Sequence, residues 1–109
     1  MSKCVKIEYE GKTYTLGFTK RTVQETEAAG FIANKIDEMP GTMIPLLFKC
    51  SFLMNHRFTK DAVKEEMYKN LARKEDLISV LGELYNEPLM ELIAEPDDEE
   101  KKVQWTMEK

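Results

Sequence analysis

Of the side chains that ordinarily carry chemistry, the chain offers one histidine, His56, and two cysteines, Cys4 and Cys50. A histidine base needs a nucleophile to act on and a group to orient its ring. His56 lies between Asn55 and Arg57, and no serine or cysteine motif points at it. It reads instead as a cap or cation at the C-terminus of an apolar helix, where it meets the last carbonyls. One histidine and two distant cysteines do not make a zinc set, and neither cysteine stands in C-x-x-C spacing. Cys50 falls in an apolar run and reads as a small buried hydrophobe, Cys4 as a residue at a strand edge. Two such thiols suit a reducing compartment. Gly11, Gly17, Gly30, Gly41 and Gly82 fit neither G-x-G-x-x-G nor a P-loop, and the run Asp97 to Glu100 lacks the spaced ligands and central glycine of an EF-hand. The expectation is a protein with no catalytic residue, no metal and no cofactor.

Binding is the chemistry that remains. Seven methionines are many for 109 residues, and methionine suits both irregular cores and surfaces that adapt to partners. From Met43 to Met54 only Lys49 and Ser51 interrupt the apolar character. A helix apolar almost all round is either central in its domain or buried against another subunit. Met39, Met43, Leu47, Phe48, Phe52 and Met54 are therefore the candidate partner-binding residues, for self-association or for capture of an amphipathic helix in a groove.

The elements that must position them follow from periodicity. Val5, Ile7 and Tyr9 alternate with polar residues, as do Tyr14, Leu16 and Phe18, with Glu10-Gly11-Lys12 as a turn between them. This predicts a β-hairpin over residues 4–18, and a two-stranded hairpin must lay its apolar face on something else. Thr19 predicts an N-cap, with Phe18 and Val23 as a hydrophobic staple, and Gly30 ends a helix over about 20–29. Phe31, Ile32, Ile36 and Met39 suggest a further turn or two before Pro40-Gly41 interrupts the chain. Thr42 then caps the apolar helix, with Pro45 in its first turn. Thr59 caps another, with Val63, Met67 and Leu71 as its inner stripe and Lys60, Asp61, Lys64, Glu65, Glu66 and Lys69 in solvent. The last helix starts near Lys74-Glu75-Asp76 and is the most periodic, but Pro88 should kink it or divide it.

Charge sharpens the division. The formal net charge is −4, yet residues 95–109 hold six acidic and three basic side chains, so the body is nearly neutral. A single domain over residues 1–94 and an acidic, disordered tail over 95–109 is the expectation, with Val103, Trp105 and Met107 alternating inside that tail. The 26 Leu, Ile, Val and Phe residues are enough for a core. The fold class is thus α+β, a hairpin packed on four to five helices. An acidic chain has no excess positive charge with which to release a polyanion's counterions, which disfavours nucleic acid as a partner. Lys60, Lys64, Lys69, Arg73 and Lys74 form the one basic stretch that suits a small DNA-binding regulator, but acidic residues interleave with them. The longest apolar stretch is too short for a membrane span of about 20 residues, and no signal-peptide core follows the first residues, so a soluble cytoplasmic protein is expected.

The run Tyr14-Thr15-Leu16-Gly17-Phe18-Thr19-Lys20-Arg21-Thr22-Val23, then Glu27-Ala28-Ala29-Gly30-Phe31, Met43-Ile44-Pro45-Leu46-Leu47-Phe48 and Asn55-His56-Arg57 resembles a family of small phage and prophage proteins of Gram-positive bacteria. Leu84-Tyr85-Asn86-Glu87 fits the same pattern, so the resemblance covers about residues 5–93. Such proteins are similar to the tail assembly chaperones of long-tailed phages. The resemblance implies a non-enzymatic protein in the bacterial host cytoplasm that binds the long helical tape measure protein and helps the tail tube protein polymerise around it. A structural component of the tail is the nearest alternative. The acidic tail with Trp105 departs from the family pattern.

Overall fold

In the computed structural model, which describes residues 3–108, the alternation of the first segment becomes two strands, β1 (Val5–Tyr9) and β2 (Lys12–Leu16). They pair antiparallel, Val5 opposite Leu16 and Tyr9 opposite Lys12. Glu10 and Gly11 both take positive φ, 50° and 78°. That is the backbone of a type I′ turn, whose twist matches that of the strands it joins. Tyr14 and Leu16 bury completely or nearly so, while Val5, Ile7 and Tyr9 lean on the core half-covered.

Helix α1 (Lys20–Ala28) begins at Thr19, as its hydroxyl predicts. Thr19 Oγ1 accepts the Thr22 amide at 3.1 Å, and Thr22 Oγ1 accepts the Thr19 amide at 2.8 Å. Two amides of the first turn are thus satisfied reciprocally, with threonine where a capping box more often has Glu or Gln. At the other end Gly30 takes φ +108°, and the amides of Gly30 and Phe31 reach back to the carbonyls of Glu27 and Thr26. This is a Schellman closure, which needs a residue tolerant of positive φ. It turns the chain so that Phe31 enters the core. A single 3-10 turn, Ala33–Lys35, follows.

Helix α2 (Pro40–Cys50) departs from expectation at both ends. It starts at Pro40, not after a Thr42 cap, because a proline at the first helical position has its φ preset and loses only an amide that would be unpaired. Pro45 consequently sits inside the helix rather than in its first turn. The apolar run does not stay helical to Met54: after Cys50 it breaks into turns through Asn55. The Ser51 carbonyl there accepts the Gly17 amide at 3.1 Å, so the end of α2 docks on the hairpin.

Helix α3 (Asp61–Lys69) starts one residue beyond the expected cap, with Lys60 at the N-cap position. Val63, Met67 and Leu71 face inward as predicted. Lys64 does not lie in solvent: its stem is buried, its ammonium stands 3.3 Å from Asp61 and 5.8 Å from the centre of the Phe52 ring. A lysine stem covers apolar surface well while its charge stays near the rim.

Helix α4 (Lys74–Ile93) runs for 20 residues straight through Pro88. One missing backbone bond does not divide a helix whose Leu81, Leu84 and Tyr85 are held in the core against α1 and α2. The core is a single cluster in which Leu16, Val23, Leu47, Phe48, Phe52 and Leu81 are fully enclosed. Edge-to-face aromatic pairs run through it: Phe48 with Phe52 at 5.3 Å, and Tyr85 with Phe18 at 5.3 Å and with Phe31 at 5.0 Å. A hairpin on four helices is an α+β fold.

Past Ile93 the described residues form only a short 3-10 turn, Glu99–Lys101, and then chain without regular secondary structure. Lys102 Nζ pairs with Glu95 at 3.4 Å and with Glu99 at 2.7 Å. The radius of gyration is 16.4 Å, against about 13 Å for a compact chain of this length.

Candidate functional site

The six residues singled out for partner binding do not form one surface. Met43, Leu47, Phe48 and Phe52 lie inside the core, Met54 is half-buried, and only Met39 is exposed. Met43 has a specific internal task, since its sulfur accepts the Ile32 amide at 3.4 Å. Met54 lies over Gly17, where an added Cβ would stand 2.8 Å from its methyl carbon. Most of this run is central in the domain, where α2 packs on α1, α3 and α4.

Apolar surface is gathered elsewhere. The last two turns of α4 extend beyond the core and leave Met90, Leu92 and Ile93 exposed, Ile93 at 68%. Beside them is a groove of about 390 Å³ between Phe31 and Ile32 on one side and Tyr85 and Leu89 on the other. Ile32 adds a further exposed side chain at its rim. The periodicity of Leu89, Leu92 and Ile93 was visible in the sequence, but it was indistinguishable from core periodicity. Only the length of the helix relative to its neighbours shows that this end is not covered. Phe58, 93% exposed, stands in the loop between α2 and α3.

The titratable groups serve the frame. His56 Nε2 accepts the Thr15 amide at 2.9 Å, and Asn55 Nδ2 donates to the Thr15 carbonyl at 3.3 Å. The His56 ring thus serves the β2 edge rather than the end of a helix, where its position in the sequence suggested a cap or cation. Arg57 clasps Glu25 through two hydrogen bonds, 2.7 and 2.8 Å, tying the same loop to α1. Those bonds hold the Glu25 carboxyl below its ordinary value against the opposing effect of desolvation, and they raise Arg57. Burial pushes the Cys50 thiol up, which leaves it protonated and unreactive. Among the described residues no three His, Cys, Asp or Glu side chains stand close enough to hold a metal ion, and no helix is long and apolar enough to cross a membrane.

What these features define is a small α+β domain whose polar side chains clamp a hairpin to a helical body and whose apolar residues are left over at one end of its longest helix. The chain belongs to the DUF5055 family, described as a domain of unknown function, which matches residues 1–109. No curated protein and no solved structure matches it.

Proposed function

We propose that the protein acts by binding other proteins, as a tail-assembly-chaperone-like factor in the bacterial cytoplasm that holds the helical tape measure protein and aids assembly of the tail tube around it. The observation that carries this reading is the uncovered apolar end of α4 with the adjoining Phe31, Ile32 and Leu89 groove. An amphipathic helix laid in such a groove and continued past Leu89 would cover its own apolar face and the exposed Leu92 and Ile93 together. Of the basic residues that would serve a DNA-binding reading, Lys64 pairs with Asp61 and Lys74 stands 4.5 Å from the centre of the Tyr68 ring.

Co-expression with a phage tape measure protein tests the reading. The expected result is a soluble complex that co-purifies, and an Ile32→Glu, Ile93→Glu double variant that folds but recovers none. If the wild-type chain leaves the tape measure insoluble and binds neither it nor the tail tube protein, the proposal falls. Mass spectrometry of finished particles separates a chaperone, which departs, from a tail component, which stays.

A further inference from the structure

The hairpin has one covered edge and one open edge. Tyr9 and Lys12 flank a two-residue turn, so Tyr9, Ile7 and Val5 exchange backbone bonds with β2, and Lys6 and Glu8 direct theirs away from it. On β2 the outward groups nearest the body are taken: those of Thr15 by Asn55 and His56, and the Gly17 amide by the Ser51 carbonyl. On β1, among the described residues, the sheet stops, because it contains only these two strands. An uncovered edge is a template for another strand. Beside this edge runs a groove of about 260 Å³ whose apolar walls include Val5, Ile7, Leu71, Leu77 and Val80.

A segment with the matching pattern is present in the same chain. Val103, Trp105 and Met107 alternate with Gln104 and Thr106 in a stretch that is neither helix nor strand, and the three are 89%, 82% and 75% exposed. Period-two alternation is what a half-buried strand requires. We propose that the protein self-associates by strand addition, Val103–Met107 of one copy pairing with the β1 edge of another and seating its apolar side chains in the groove beside it.

The tail serves a neighbour rather than its own body because of where it is held. The Lys102 pairs with Glu95 and Glu99 fold residues 95–102 back on themselves, so Val103 starts near the C-terminal end of α4. The groove lies at the other end, and from Val80 to Ile93 the helix covers about 20 Å. Five extended residues reach about 17 Å. The groove brings Lys6 and Arg73 against one acid, Asp76, while the arriving tail, residues 95–109, holds six acids against three bases, so the overall charges are opposite. This surface is distinct from the uncovered end of α4, so the two proposals stand or fall separately.

Trp105 is the sole tryptophan and reports the event directly. Its emission is read on the full chain across the micromolar range, together with mass by sedimentation equilibrium. The expected result is a shift to shorter wavelength that grows with concentration in step with the mass. Glu8→Pro removes an outward amide and no bond of the hairpin, and it should abolish both signals while far-UV circular dichroism is retained. Val80→Glu, which alters the groove and leaves the strand untouched, should do the same. A monomer with solvent-exposed emission at every concentration overturns the proposal. So does a shift independent of concentration, or association that survives in both variants.

Discussion

The imidazole of His56 accepts the backbone amide of Thr15 at 2.9 Å, across 41 residues of sequence. With Asn55 on the carbonyl of the same residue, two adjacent side chains take the place of a third strand along β2. Removing the ring leaves a part-buried amide without its acceptor and takes away an edge contact with Tyr14 at 5.1 Å. An unsatisfied buried donor costs about 1–3 kcal/mol. His56→Ala should therefore lower stability by that amount, read as a reduced urea midpoint with an unchanged slope. Asn55→Ala, which removes a longer and more exposed bond, should cost less.

How much of this was legible in the sequence depends on whether the cause was local. The hairpin turn, the Thr19 cap and the Gly30 closure each depend on residues within five positions, and each is legible in the sequence. His56 was misread because its partner is 41 residues away, and nothing in the types or spacing of either residue announces the pairing. Most of the candidate partner-binding set lies in the core for a related reason. Apolarity all round a helix records that it is covered, but Leu47, Phe48 and Phe52 do not record by what. The uncovered end of α4 was hidden in the same way, since Leu92 and Ile93 continue a stripe that packs elsewhere along the helix.

Alkaline pH should find a weak point at Tyr85. Burial, with smaller contributions from Glu27 and Cys50, pushes its phenol up to about 12. The unfolded chain releases the same proton near pH 10. A group raised in the fold leaves stability intact below the unfolded value and erodes it as pH climbs toward the folded one. The melting temperature should fall from about pH 10 upward. Tyr85→Phe keeps the ring against Phe18 and Phe31 and should make that fall shallower. It will not flatten the slope entirely, because desolvation also raises Tyr9.

Acid should act through Glu25. Its folded value is lowered by the hydrogen bonds from Arg57, so the contribution is present above the ordinary carboxylate range and disappears as pH falls through the lowered value. Both side chains are partly exposed, which screens the pair and keeps its effect modest. Glu25→Gln should lower the melting temperature at neutral pH, and the gap from wild type should close on acidification. Arg57→Lys should recover only part of it, since an ammonium cannot make the two parallel bonds of the guanidinium. A thermal melt series from neutral to acid pH reads both.

The two regions of apolar residues should separate cleanly by substitution. Phe48 is fully enclosed and in edge contact with Phe52, so Phe48→Ala loses both transfer energy and packing around the cavity it leaves. Such truncations cost about 3–5 kcal/mol, a large share of the 5–15 kcal/mol that holds a typical domain together. Ile93 is 68% exposed, and Ile93→Glu should change stability by no more than about 0.5 kcal/mol. Its effect belongs to association: a charge at the centre of an apolar contact must be desolvated when a helix covers it. The expected pair of outcomes is therefore a Phe48→Ala chain that binds poorly because less of it is folded, and an Ile93→Glu chain that is as stable as wild type and binds poorly all the same. Denaturation and co-purification on the same two variants measure this. If Ile93→Glu retains full recovery of the tape measure protein, the uncovered end of α4 is not the surface that captures it.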